Sequence, residues 1–94
     1  MPWKVVAFEE TPNPNAIKCV LDRPIAALPR AYRAPGEVPG HDAPARALFA
    51  VEGVTNLLLL KDFVTVGKAP GASWAPIKRA VKRALERAPE EVAP

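Results

Sequence analysis

The chain is poor in the residues that build metal centres and covalent catalytic sites. It has one cysteine, Cys19, and one histidine, His41, in 94 residues. A single cysteine excludes an intrachain disulfide. Cys19 and His41 together fall short of a four-ligand zinc or iron–sulfur site, and no carboxylate spacing supplies the missing ligands, so no metal and no cofactor is expected. Cys19 falls in an expected strand and reads as a small buried hydrophobe. His41, between Gly40 and Asp42, reads as a solvated loop residue, and a Cys-His nucleophilic pair would need a third orienting group. Glycine is scarce, at 5 residues. Neither a glycine-rich phosphate loop nor a serine-nucleophile motif occurs, and Thr11 and Ser73 are the only hydroxyl residues in expected loops. These absences argue against an enzyme. Aromatic residues make up 6% of the chain and do not interleave with its basic residues, which disfavours nucleic-acid binding. No apolar run approaches the roughly 20 residues of a membrane-spanning helix. The opening Met1-Pro2-Trp3-Lys4 lacks the basic and apolar regions of a signal peptide. The expectation is a cytoplasmic chain with no membrane partner.

What the sequence does have is proline, 12 residues of it, and a modest net charge of +3. The length fits one domain, 1–94, with a core over about 3–88 and a frayed tail at 89–94. A chain of this mass should bury roughly 64% of its unfolded surface, enough for one modest core. The most informative segment is Thr11-Pro12-Asn13-Pro14-Asn15, followed by Lys18. Its prolines fix φ near −65°, remove two backbone donors and push Thr11 and Asn13 toward extended geometry. The asparagines bond locally and tolerate turn conformations. The product is a stiff polar loop that either sets a hairpin or presents a recognition surface.

Trp3 to Phe8 and Ala16 to Leu21 read as strands joined by that loop. The stretch from Arg23 to Gly40 is rich in proline, alanine and glycine and is the least determined, with a short strand near Arg30 to Arg33. Asp42 before Ala43-Pro44 resembles an N-cap with proline in the first turn, and Gly53 sits where a C′ residue belongs, so a helix over about Ala43 to Glu52 is expected. Val54 to Leu60 and Phe63 to Lys68 are strands around Lys61-Asp62, a pair without the usual turn glycine. Ser73 is a candidate N-cap for a last helix in which Trp74, Ile77, Val81, Ala84, Leu85 and Ala88 follow helical spacing, stopped at Pro89. The fold class is α+β: an antiparallel sheet of four to five strands with two helices on one face, in the order β-β-(β)-α-β-β-α.

Two further features bear on partners. The last helix carries Lys78, Arg79, Lys82, Arg83 and Arg87 against Glu86, either a solvated face or a basic patch for an acidic partner. In Leu57-Leu58-Leu59-Leu60, one alternate pair must face away from the helices. Either the Arg23–Gly40 segment covers it, or it forms an apolar patch for a partner or a second copy, making a homo-oligomer an open expectation.

Several stretches resemble, in order, the N-terminal domain of Nfu/NifU-type iron–sulfur scaffold proteins. They are Glu10-Thr11-Pro12-Asn13-Pro14-Asn15 with Lys18, Leu48-Phe49-Ala50-Val51-Glu52-Gly53-Val54, Asp62-Phe63-Val64-Thr65-Val66 with Lys68, and Trp74 with Ile77-Lys78. The chain departs from that family at Cys19, where a bulky aromatic is usual, at Leu21-Asp22-Arg23, where a glycine-bearing turn is usual, and at Leu58 to Leu60. The Cys-x-x-Cys pair that holds the cluster in full-length scaffolds is absent from this sequence. The resemblance therefore implies the fold and an accessory, non-catalytic role with a protein partner in iron–sulfur cluster assembly or delivery. Its contact surface would be Thr11, Pro12, Asn13, Pro14, Asn15 and Lys18, with Lys78, Arg79, Lys82 and Arg83 as a further patch. Two alternatives stay open: an anion or small-molecule site using Asn13, Asn15 and Lys18, and a weak cluster carrier in which Cys19 thiolates of two copies share a cluster.

Overall fold

Period-two alternation builds the sheet, and one phase of it builds the core. A computed structural model describes residues 3–88. Strands β1 (Val5–Glu10), β2 (Ala16–Leu21), β3 (Ala26–Tyr32), β4 (Val54–Lys61) and β5 (Phe63–Lys68) form one antiparallel sheet in the order β1-β2-β5-β4-β3. Helices α1 (Ala43–Phe49) and α2 (Trp74–Arg87) pack on one face of it. Ile17, Cys19 and Leu21 of β2, Leu57 and Leu59 of β4, and Val64 and Val66 of β5 point to that face, where Leu48 of α1 and Ile77, Val81 and Leu85 of α2 meet them. Each large side chain buried this way contributes roughly 1.5–3 kcal/mol. The expected frayed tail, 89–94, lies outside the described residues.

The elements differ from the sequence expectations at identifiable places. The first strand is shifted two residues toward the loop, because Trp3 does other work. Its indole Nε1 donates to Pro24 O at 2.8 Å and its backbone N donates to Leu85 O at 3.1 Å, which ties the chain's start to α2. The third strand is longer than expected and sits at the sheet edge, where Pro29 can be tolerated because an edge strand has no second partner to receive its missing N–H. Helix α1 ends at Phe49 rather than Glu52; backbone bonds Val51 N to Leu48 O (3.1 Å) and Val54 N to Val51 O (3.2 Å) turn the chain into β4 instead. Gly53 serves that turn with φ of 96°, and a Cβ there would stand 3.1 Å from Ile77 Cδ1.

Asp42 caps α1 as expected, accepting from Ala45 N at 3.3 Å. It also accepts from Tyr32 Oη at 2.6 Å and lies 3.4 Å from Arg30 Nε, so one fully buried carboxylate joins β3 to α1. Ser73 holds the N-cap position of α2, but its hydroxyl makes no capping bond. The β4–β5 turn is made by Lys61 in the left-handed region, at φ of 52°, and neighbouring backbone secures it: Leu21 N donates to Asp62 O (2.8 Å) and Ile25 N to Lys61 O (2.6 Å).

Leu58 and Leu60 are the outward pair of the leucine run, half-buried beside Thr65 and Phe63. The Arg23–Gly40 segment does not cover them. It supplies edge strand β3, and its Val38 packs against the helix-side core. On the open face, Lys18 Nζ lies 4.4 Å from the Phe63 ring centroid, beside Leu60.

Candidate functional site

The Thr11–Asn15 loop closes the β1–β2 hairpin and is rigid through its own bonds. Asn13 Oδ1 accepts from Asn15 N at 2.9 Å, an Asx turn, and Ala16 N donates to Asn13 O at 3.0 Å. Thr11 Oγ1 accepts from Asn13 N at 3.1 Å and lies within donating distance of Asn13 O (2.9 Å) and Ala16 O (3.0 Å).

Two side chains from distant sequence then brace it. Trp74 Nε1, in the first turn of α2, donates to Pro14 O at 3.0 Å across 60 residues. Lys68 Nζ, at the end of β5, donates to Asn15 Oδ1 at 3.0 Å across 53 residues. Lys68 is only 9% exposed. Its other acceptors are Ala69 O (3.3 Å) and Pro70 O (3.5 Å), and its ammonium lies 5.5 Å from the Trp74 ring centroid. Among the described residues it has no carboxylate within ion-pairing distance. A buried ammonium is thus held by neutral oxygens and an aromatic face, an unusual arrangement because buried charges are normally paired.

Between the loop and α2 lies an open cleft of about 290 Å³, walled by Thr11, Asn13 and Trp74, floored by Ile17, and bordered by Glu10 and Lys78. Lys78 is half-buried, with Nζ 5.4 Å from the Phe8 ring centroid. The cleft joins apolar surface with charges of both signs.

The structure brings Thr11, Pro12, Asn13 and Pro14 together around this cleft. Asn15 is turned inward to Lys68 and acts as a tether. Lys18 does not line the cleft. Next to core-facing Ile17 it must point to the open face, where it lies over Phe63 and 3.8 Å from Glu9. The basic residues divide: Lys78 reaches the cleft, whereas Arg79, Lys82 and Arg83 line the exposed side of α2. Sequence reading picked out Lys68 and Trp74 only as residues of the family resemblance and gave neither a role in bracing the loop. The signal for Lys68 was its phase, since it continues the inward series Val64, Val66.

Cys19 is fully buried in β2, and burial pushes its thiol up from 9.0 to about 12, with Lys78 pulling weakly the other way. A thiol so enclosed cannot meet the thiolate of a second copy, so the shared-cluster arrangement through Cys19 is ruled out by its position in the core. Among the described residues, no group of three or more His, Cys, Asp or Glu converges as metal ligands, and no helix is long and apolar enough to cross a membrane.

A five-stranded antiparallel sheet backed by two helices, with a braced loop and cleft at one end, makes this an α+β domain. The chain belongs to the Nfu family: residues 6–91 match the family described as scaffold protein Nfu/NifU N terminal. It is 36% identical over 74 residues to the mitochondrial NFU1 iron-sulfur cluster scaffold homolog of Drosophila erecta, a match covering 78% of this chain and 26% of that protein. The corresponding protein of Drosophila sechellia is 35% identical over the same span. The match thus spans about a quarter of the length of these curated relatives. Among solved structures, the crystal structure of protein SAV1430 from Staphylococcus aureus superposes with a TM-score of 0.73 at 26% identity, covering 86% of this chain and 96% of that one. The solution structure of SeR13 from Staphylococcus epidermidis gives a TM-score of 0.59 at 27% identity, covering 89% and 96%.

Proposed function

We propose that the chain is a non-catalytic protein-interaction module of iron–sulfur cluster assembly or delivery, presenting the 11–14 loop and the first turns of α2 to a protein partner. The observation that carries this reading is the double brace. Trp74 and Lys68 fix consecutive loop residues, Pro14 and Asn15, while Pro12, Asn13 and Pro14 remain exposed. A loop already held in one geometry loses little entropy on binding. Family membership supports the iron–sulfur context, since the curated relatives are named as iron-sulfur cluster scaffold homologs. Enclosure of Cys19 supports a non-catalytic role, and a lone free cysteine is in keeping with a cytoplasmic setting. The test is affinity capture from native lysate with mass spectrometry, comparing wild type with Pro12→Ala/Asn13→Ala. The expected result is loss of iron–sulfur assembly proteins from the captured set. An unchanged set would overturn the assignment of the loop as contact surface.

A further inference from the structure

We infer that the group received by the cleft is acidic: a peptide segment carrying Asp or Glu, whose carboxylates meet Lys78 and continue along Lys82 of α2, with an apolar residue seated against Trp74. This rests on the reading of the loop and α2 as a contact surface and names its partner's chemistry. Three observations carry it. First, the cations at and near the cleft outnumber the carboxylates once Lys68, outside the lining but 5.5 Å from the Trp74 ring centroid, is counted with Lys78. Lys78 borders it and Lys68 lies buried behind Trp74, whereas Glu10 is the one carboxylate in its lining. Neither lysine makes an ion pair among the described residues, in contrast to Lys18 and Arg30, which do.

Second, the cleft is continuous with a basic helix face. Lys78 and Lys82 stand one turn apart on α2, and Arg79 and Arg83 repeat the spacing beside them. Lys82, Arg79 and Arg83 are exposed and unpaired among the described residues. Like charges at this spacing destabilise an isolated helix, and Glu86, one turn beyond Lys82, is the one carboxylate of α2 to offset five basic residues, so the face is complementary to an external anionic surface.

Third, the cleft is not a bare ion site. The half-buried Trp74 ring offers an apolar anchor next to Lys78, the mixed character of a peptide-binding cleft. The indole Nε1 of Trp74 is committed to Pro14 O, so the ring is held in place as a wall. A single fixed aromatic does not make the stacking series that single-stranded nucleic acid uses.

The test is a titration of the isotope-labelled full chain, followed by amide and indole resonances, with a short peptide of Glu, Asp and Leu. The same peptide with Lys for its acidic residues and a single-stranded oligothymidylate serve as comparisons. The acidic peptide should shift the Trp74 indole N–H and the amides of 11–17 and 74–82, with affinity falling as salt rises. Lys78→Glu and, separately, the exposed Lys82→Glu should each weaken it by about tenfold, and Lys18→Glu on the open face should leave it unchanged. Undiminished spectral dispersion shows that each variant is folded, and Lys82→Glu removes only an exposed side chain. Equal or tighter binding of the basic peptide or the oligothymidylate, shifts confined to the open face, or indifference to both α2 reversals would overturn the inference. Failure of the acidic peptide while lysate capture still depends on Pro12 and Asn13 would refute the acidic chemistry alone. Loss of both results would refute the contact surface itself.

Discussion

The Lys68–Asn15 contact makes a quantitative prediction about which partner the fold can do without. Lys68 Nζ has three acceptors, Asn15 Oδ1 at 3.0 Å, Ala69 O at 3.3 Å and Pro70 O at 3.5 Å, and the side chain is 9% exposed. Asn15→Ala removes the shortest of these and leaves a buried ammonium short of one acceptor. Hydrogen bonds to charged groups are worth about 1.5–3 kcal/mol, so a loss of about 2 kcal/mol is expected. For a domain of this size that corresponds to a fall in Tm of roughly 8–16 °C. Lys68→Met removes all three bonds but also removes the buried charge and keeps the side-chain volume. The acceptors it abandons belong to half-buried Asn15 and Ala69 and exposed Pro70, which water can reach. The expected loss is therefore about 1 kcal/mol or less. In the Lys68→Met background, Asn15→Ala should cost no more than about 0.5 kcal/mol. The assay is urea unfolding of the four proteins of the double-mutant cycle, read as midpoints at constant m. Additivity within about 0.5 kcal/mol, or a larger loss for Lys68→Met than for Asn15→Ala, would refute the reasoning.

Three further outcomes follow from the same structure. Tyr32→Phe deletes the 2.6 Å bond to the buried Asp42 carboxylate and should lower stability by about 1.5 kcal/mol in urea unfolding, the modest end of the charged range because Arg30 and Ala45 N still hold the carboxylate. Lys61→Gly relieves a left-handed residue at φ of 52° in the β4–β5 turn and should raise stability by about 0.5–1 kcal/mol, measured as a higher urea midpoint. Cys19 should resist alkylation at neutral pH until the chain unfolds, and it sets an alkaline limit. Burial raises the thiol from 9.0 to about 12, so above pH 9 the unfolded chain releases a proton that the folded chain keeps, and stability falls as pH rises through that window. Tyr32, raised from 10.0 to about 12 by burial first and then by Asp42, acts in the same direction. Thermal melts from about pH 8 to about pH 11, a range that brackets the ordinary thiol and phenol values, should show a decline that is shallower in Cys19→Ala.

The parts of the fold legible in the sequence were those with a strong period and a local stop signal. Strands β2 and β5 match the expected bounds, and α2 follows its Trp74, Ile77, Val81, Leu85 stripe. Strand β3 was nearly hidden because its Ala26-Ala27 start and Pro29 are weak strand formers, and only an edge position makes them acceptable. The end of α1 was misread because Gly53 signals a turn, and the turn it serves lies three residues beyond the helix's C-cap at Ala50. At the site, proline and asparagine revealed a stiff loop, but its tethers come from 53 and 60 residues away and have no local signature. Lys18 could have been placed correctly: with Ile17 facing the core, alternation sends Lys18 to the opposite face.

That division bears on what the loop is for. Setting the β1–β2 hairpin needs only the Asx turn at Asn13 and the Thr11 bonds, both made within the loop. Core stability does not require Lys68 either, since an apolar residue would continue the inward series Val64, Val66 with no ammonium to desolvate. What Lys68 and Trp74 add is a fixed position for the whole loop relative to α2, and they do so at two consecutive residues, Pro14 and Asn15. A hairpin free to rock against α2 would open and close the cleft; one tied at both points keeps Pro12, Asn13 and Lys78 at a set spacing. The ordering entropy of the loop is then met during folding instead of binding, an advantage the proposed recognition surface would gain and a plain hairpin turn would have no use for.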